Sequence, residues 1–524
     1  MNHIEKELNK LKNYLASNNE SKISLESIEE QLNLFINGVK IPRLVRPCTI
    51  DDGILKIGEK EFDELINEHN SASSKGRLLK FVPASGAASR MFHNLQSVLN
   101  RYDNFSLIDL KHKYGQDEEC KSVYNFLMNL QNFAFYDELK SIFKLNDLEI
   151  EELVKEDPQK ILKAVLFENG LNYLSKPKGA IIFHKYDKEF KTAFEEQIYE
   201  ALHYIIDENK IGKIHFTISE EHTELFNKIS EGLKSNLKKN KFQIDVSYSY
   251  QKKYTDTIAI DENNFILFDK DDNPMHRPGG HGALLENLND LNADIIIIKN
   301  IDNLSTENLS VDTVLFKKLL IGFLVKIQNK VFDLIRDLQN KNLSKTDFND
   351  LLNFAERSLF ISRPLNFENW EQKKQYRFIF DKLNRPIRIC GMVKNEGEPG
   401  GGPFWVKSDK GYLSLQIVEQ AQINMSDENQ KRIFLQSTHF NPVDLICGVK
   451  DYNGHNFDLH KFVDRQSGII TKKSKEGVEF KALESPGLWN GSMADWITIF
   501  VEVPLSTFNP VKEVNDLLKK AHQN

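Results

Sequence analysis

Residues 78–99 read LLKFVPASGAASRMFHNLQSVL. The run Leu78–Val82 is short and apolar, as a buried strand is, and the amphipathic segment RMFHNLQSVL has the texture of a helix. Between them stand only small residues, Ala84-Ser85-Gly86-Ala87-Ala88-Ser89. Strand, tight loop and helix in that order are the opening unit of an α/β sheet. Such a loop lets backbone N–H groups approach a phosphate or a base edge, the helix N-terminus adds partial positive charge, and Arg90 adds a fixed cation. The same small residues also serve close packing alone. The sequence has no GxxxxGK[ST], which excludes a P-loop as the phosphate site.

Outward from this unit the chain keeps alternating. GAIIFH (179–184) precedes KTAFEEQIYEALHYI, KIHFTIS (213–219) precedes ELFNKISEGLKS, and FQIDVSYS (242–249) and ADIIIIKN (293–300) follow. The fold class read from this is α/β, a mostly parallel sheet flanked by helices. Residues 104–175 carry charged segments of helical period and almost no strand signal, and read as a helical insertion. Residues 1–75, with Ile4, Leu8, Leu11, Leu15, Ile28, Leu32, Leu34 and Ile36 at helical spacing, read as a helical N-terminal extension. Long helices are expected over 309–341. The α+β region 386–524 has short strands, Gly-rich turns such as NEGEPGGGP, and a final helix near 511–522. The domains are thus 1–75, a core 76–385 holding the insertion, and 386–524; no repeat or low-complexity linker divides them more sharply.

Composition narrows the function. A formal charge of −7 leaves no basic surplus to neutralise a nucleic-acid backbone or coat an anionic membrane, so neither is an expected partner. Hydrophobic residues at 40% and 35 phenylalanines belong to a globular chain. Cys48, Cys120, Cys390 and Cys447 are scattered without a CxxC pair and read as reduced thiols. The segment MNHIEKELNKLKNYL lacks a signal peptide's apolar stretch, so the cytoplasm is the expected compartment.

Three further segments could carry chemistry. Lys178, in PKG before an apolar strand, could reach a phosphate as a mobile point charge. In Arg277-Pro278-Gly279-Gly280-His281-Gly282 the glycines leave the backbone bare for a ligand, or merely form a connection with His281 satisfied locally. Asp302, just after the isoleucine run 295–298, stands where open parallel sheets collect ligands and where a carboxylate can hold Mg²⁺ on a triphosphate. HExxH, EF-hand and GxSxG motifs are absent, which removes the hallmarks of zinc hydrolysis and nucleophile-elbow esterases.

In order, SGAASR, PKG, GGHG and NIDN on an alternating chain resemble the UDP-sugar pyrophosphorylases, especially the UDP-N-acetylhexosamine type, over about residues 80–515. Ser89-Arg90 is similar to the end of that family's nucleotide loop, Lys178 to its PKG lysine with His184-Lys185 and FEEQIYEAL following, Gly280-His281-Gly282 to its base-facing Gly-Asn-Gly, and Ile301-Asp302-Asn303 to its metal segment. Gln251 lies where a base-facing Gln is expected. Ile417–Ile423 resembles VEYSEI with Glu419 on sugar hydroxyls, Thr438-His439-Phe440 resembles Asn-His-Phe, Lys481–Glu484 resembles KLE, and Phe508–Lys512 resembles FSPLKN.

The resemblance implies a nucleotidyltransferase-like (GT-A/Rossmann-like) fold. It also implies a Mg²⁺-dependent transfer from a nucleoside triphosphate, with UTP favoured, to a sugar 1-phosphate. Arg90, Lys178 and Lys481 would be catalytic, and Ala84, Ser85, Gly86, Ala87, Ser89, Gln251, Gly280, His281 and Gly282 nucleotide-binding. Glu419, Thr438 and Gly391 would bind the sugar, and Asp302 the metal. The chain is also similar to a bacterial family of unknown function carrying PASGAASRMF, RPGGHGALLENLND and CGMVKNEGEPGGGPFWV. It departs from the pyrophosphorylases at Ser85 and Ala88, where they have Gly, and at His281 and Thr438, where they have Asn. These departures motivate a rival reading, a nucleotide- or nucleotide-sugar-binding protein of the same fold without turnover. A scaffold that docks a partner through 104–175 is a third.

Overall fold

A computed structural model describes residues 11, 23–144, 149–187, 189–239, 241–271, 273–340, 343–397, 400–475 and 478–523. The helical expectation for Ile4, Leu8 and Leu15 lies outside these residues, as do Glu398 and Pro399 of the Gly-rich turn. The fold is α/β with a mostly parallel sheet flanked by helices. Its strands read as they do because both sheet faces are covered: Ile295–Lys299 is buried at all five positions, which favours an unbroken β-branched run over alternation.

The chain divides into two units that interleave along the sequence, residues 1–72, 251–298 and 319–503 in the first, and 73–250, 299–318 and 504–524 in the second. In the first, the strand order is Gly53–Leu55, Ile497–Glu502, Ile387–Lys394, Asp444–Gly448 and Ile295–Lys299. The first three are mutually parallel, and Asp444–Gly448 runs antiparallel to Ile387–Lys394. Two smaller sheets complete it. Arg43–Pro47, Gly402–Lys407 and Leu413–Val418 form one; His276–Arg277, Thr257–Ile260, Val478–Glu484 and Ile469–Lys475 form the other. Residues 25–74 are therefore not helical throughout: strands lie between helices Leu25–Asn37 and Phe62–Ser74.

In the second unit Leu78–Pro83, Ile211–Thr217 and Gln243–Ser249 are parallel neighbours. Helix Ala193–Leu202 is started by a capping box, in which Thr192 accepts from the Glu195 N–H and Glu195 accepts from the Thr192 N–H. Among its described residues the block 104–175 contains five α-helices and no strand. Two expectations change. GAIIFH does not enter the parallel sheet: Ile182–Tyr186 pairs antiparallel with Glu189–Thr192 across a turn in which Asp187 has φ 41°. The expected helix near 511–522 is replaced by short 3₁₀ turns at Val514–Leu518 and Lys520–His522, whose backbone is bonded to other parts of the unit. Among the described residues no helix is long and apolar enough to cross a membrane.

Candidate functional site

In the second unit the small-residue loop is held at its ends and open in its middle. Ala84 extends the sheet ladder, its N–H donating to the Thr217 carbonyl at 2.8 Å, and Ser219 Oγ donates to the Ser85 carbonyl at 3.2 Å. The far side is zippered to the PKG segment. The Lys178 N–H donates to the Gly86 carbonyl at 3.1 Å, the Ala88 N–H to the Lys176 carbonyl at 3.2 Å, and Ala87 bridges Pro177. Ala88 is buried, whereas Gly86, Ala87, Ser89 and Arg90 are exposed. A Cβ added at Gly86 would meet nothing within 4 Å, and its φ is not left-handed, so neither packing nor backbone strain requires this glycine. Arg90 has no hydrogen-bond or ion-pair partner among the described residues.

Lys178 Nζ lies 2.6 Å from Asp302 Oδ2, in a pair only 15% and 22% exposed at the side chains. The Asp302 main chain is fixed from two sides. The Val511 N–H of FNPVK donates to the Asp302 carbonyl at 3.1 Å, and Gln197 Nε2 donates to the carbonyls of Asn300 and Ile301 at 2.8 and 3.2 Å. Beneath lies a buried charge cluster. Glu200 accepts from Lys299 Nζ at 2.5 Å, Lys80 Nζ at 3.1 Å and Tyr204 Oη at 2.8 Å. Burial and the neighbouring Lys299 and Lys317 pull Lys80 down to about 7 despite Glu200, while the three lysines hold the Glu200 carboxyl below its usual range despite its burial. Also buried, His184 joins Glu196 through Nδ1 and His522 through Nε2, each at 2.9 Å, which ties the end of the chain to the hairpin after PKG.

The first unit gathers a different group. His281 stacks on Trp489 with centroids 4.1 Å apart and planes 21° from parallel. Its Nδ1 accepts the Leu488 N–H at 3.1 Å, which assigns the neutral ring's proton to Nε2, 3.8 Å from Glu419 Oε1. Burial lowers the His281 pKa against the opposing pull of Glu419 and Glu484, which favours the neutral ring. Glu419 Oε1 already accepts from Asn490 Nδ2 at 2.9 Å and Trp489 Nε1 at 3.3 Å. The glycines have structural reasons: a Cβ at Gly282 would lie 2.3 Å from the Pro486 carbonyl oxygen, and Gly280 has φ +73° with Glu484 packed against it.

The expected residues thus fall into groups. Ser85, Gly86, Ala87, Ser89, Arg90, Lys178 and Asp302 belong to the second unit, where the last two touch, and Gly280, His281, Gly282 and Glu419 come together in the first. Four others of the first unit are engaged elsewhere. Lys481 Nζ donates to the Glu262 carbonyl at 3.0 Å and Asn264 Oδ1 at 2.8 Å. Gln251 donates to Asp256 at 3.3 Å, and Thr438 Oγ1 lies 2.8 Å from His439 Nδ1. Gly391 is buried in its strand near Val503 and Asp444. Sequence reading missed Gln197, Trp489 and Asn490. The turn PGLWNG after KALE carried a signal, since a Trp-Asn pair framed by glycines is ill explained as a plain connection; Gln197 lies in FEEQIYEAL, a segment the resemblance marks without giving this residue a role.

A family model described as a domain of unknown function (DUF4301) matches residues 11–523, and the chain belongs to that family. No curated protein matches it. Among solved structures it is similar to a mutant UDP-glucose pyrophosphorylase from Leishmania major in complex with UDP-glucose, at 11% identity and TM-score 0.44 over 98% of this chain and 78% of that one. It is likewise similar to the uridine diphosphate N-acetylglucosamine pyrophosphorylase from Trypanosoma brucei in complex with inhibitor, at 11% identity and TM-score 0.46 over 98% and 81%. These are distant likenesses, and no chemistry follows from them.

Proposed function

We propose that this member of the family is a Mg²⁺-dependent sugar-1-phosphate nucleotidyltransferase, with UTP the donor favoured by its motifs. The observation that supports it most is the second unit's loop: an open glycine that the fold does not require, and an exposed arginine without a partner among the described residues, zippered to a lysine that contacts a strand-end aspartate. A sugar 1-phosphate oxygen attacks the α-phosphorus in line; the new P–O bond forms as the α–β bridging bond breaks, and pyrophosphate leaves with the electron pair. No protein nucleophile and no proton transfer are needed. Positioning and charge neutralisation are the catalytic requirements.

Arg90, Lys178 and the loop N–H groups would hold the phosphates, with Ala84, Ser85, Gly86, Ala87 and Ser89 supplying the backbone. Asp302 would hold the metal. Its single carboxylate suits Mg²⁺ carried mainly by phosphate oxygens and water, since no group of three or more metal-ligating side chains exists among the described residues. When bound, Mg²⁺ would neutralise charge on the phosphates. Base recognition is assigned to Gly280, His281, Gly282 and Gln251, and sugar recognition to Glu419 and Thr438; Gly391, expected with them, is buried in its strand and has no side chain to offer. Lys481, assigned the sugar phosphate, would have to leave the Glu262–Asn264 turn.

That engagement of Lys481, together with Glu419 already bonded to Trp489 and Asn490, favours a second reading: a nucleotide- or nucleotide-sugar-binding protein of the same fold without turnover. Pyrophosphate release across a grid of nucleoside triphosphates and sugar 1-phosphates with Mg²⁺ separates the two. Release above a heat-killed control with at least one pair supports the transferase; nucleotide binding without release in any pair supports the second reading.

A further inference from the structure

From the Lys178–Asp302 pair we infer a charge-exchange latch. The Lys178 ammonium lies on Asp302 Oδ2, where a cation held by that carboxylate would sit, so a polyphosphate anion and a divalent metal must enter together. The inference rests on the reading above only for the identity of the anion.

The backbone geometry determines how the pair opens. The Lys178 main chain is bonded to Gly86, and the Asp302 main chain is bonded to Val511 and bracketed by Gln197's bonds to Asn300 and Ile301. Neither segment has to move. What can move is the four-carbon lysine stem, whereas the short aspartate stem keeps its carboxylate close to a fixed backbone. The Lys178 N–H bond to the Gly86 carbonyl fixes the root of the lysine stem next to the small-residue loop. An anion arriving there would draw the ammonium off Asp302, and the bared carboxylate would then take a hard cation.

Either ligand alone faces a penalty. At 15% and 22% exposure the pair is partly desolvated, so an anion alone leaves Asp302 uncompensated. A metal alone would have to displace the ammonium from its partner, and like charges would then share one carboxylate. Among the described residues no cluster of further carboxylates or histidines helps hold the metal against the lysine. Anion and metal binding are therefore positively coupled.

Mn²⁺, a paramagnetic stand-in for Mg²⁺, tests this by electron paramagnetic resonance of the free ion, without nucleotide. The wild-type chain is expected to bind Mn²⁺ no better than Asp302→Asn does. Lys178→Met should bare the carboxylate and tighten Mn²⁺ binding at least about tenfold, within the usual range of coupling between ligands. The gain should vanish when Asp302→Asn is added. Lys178→Gln is measured in parallel, with circular dichroism confirming that each variant is folded. A wild-type Mn²⁺ site that Asp302→Asn abolishes overturns the latch, and this comparison needs no lysine variant. A folded lysine variant that binds Mn²⁺ no more tightly than wild type overturns it equally. No turnover enters either readout: a latch without pyrophosphate release removes the transferase reading alone, and release from a chain whose Asp302 binds Mn²⁺ unaided removes the latch alone.

Discussion

The loop Ala84–Ser89 and the turn Gly279–Gly282 are both rich in small residues, and both precede a helical turn. They differ in what the glycines face. A Cβ at Gly86 meets open space, whereas one at Gly282 meets the Pro486 carbonyl at 2.3 Å and one at Gly279 meets the Thr255 carbonyl at 2.5 Å. The charged groups follow the same division. Arg90 is exposed without a partner among the described residues, while Glu419 and Lys481 are already bonded by protein groups. A glycine-rich loop is therefore not in itself a sign of ligand binding. The two loops differ in whether the fold leaves space and charge unused.

The sharpest way to break the comparison is to put the same methyl group into both. Gly282→Ala should destabilise by about 3 kcal/mol or more, because the new Cβ collides with backbone that cannot rotate away. Gly86→Ala should stay within about 0.5 kcal/mol by urea denaturation yet weaken nucleotide binding in calorimetry. Unchanged nucleotide affinity in Gly86→Ala would mean that the open face is not the binding surface.

Arg90→Ala follows in size. A cation that neutralises charge developing in transfer is worth about two powers of ten in kcat, roughly 2.7 kcal/mol, and the loss should appear with every sugar 1-phosphate tested. Because Arg90 supports nothing else in the described structure, the urea midpoint should not move. A shifted midpoint with kcat intact would make Arg90 a structural residue.

How far the sequence led follows the same physical line. The sheet strands were legible because burial on both faces imposes an apolar run, as at Ile295–Ile298, and the small-residue loop because it breaks such a run. GAIIFH was misread because a hairpin strand and a parallel strand share one local pattern, and only the partner across the turn at Asp187 tells them apart. The 3₁₀ turns at 514–522 escaped because their backbone bonds reach distant segments, as the Val514 N–H does at Met91, and no periodicity records that. Within the candidate site, charged residues at strand ends and loop ends stand out in the sequence, and the groups that support them do not. Gln197 steadies the segment before Asp302 by two bonds to carbonyl groups, which any residue supplies, so nothing in the sequence marks its partners.

Asp302→Asn tests the metal side of the second unit. The amide is nearly isosteric, so the fold should hold, but a neutral group is a poor ligand for a hard cation and a poor partner for Lys178. Turnover should fall at least about tenfold, roughly 1.4 kcal/mol of barrier, with a raised Mg²⁺ requirement in steady-state assays. An unchanged rate with unchanged Mg²⁺ dependence would remove Asp302 from the site.

The smallest expected effect belongs to the unit whose groups are already satisfied, and it is the most diagnostic. Glu419→Gln keeps an acceptor for Asn490 and Trp489 but replaces a carboxylate by a weaker, neutral one. Where Glu419 accepts from sugar hydroxyls, the KM for sugar 1-phosphate should rise several-fold, on the order of 1 kcal/mol for one weakened charge-assisted bond, with nucleotide affinity unchanged. Where Glu419 only braces the Trp489–Asn490 turn, the sugar KM should not move. The change would then appear in the His281 ring, which stacks on Trp489 and whose burial-lowered pKa Glu419 partly offsets. Removing that carboxylate charge lowers the His281 pKa further, so its titration by nuclear magnetic resonance should shift to lower pH. A shifted titration with constant sugar KM would assign Glu419 to the architecture of the turn, and with it the sugar-facing role given to the first unit would fall.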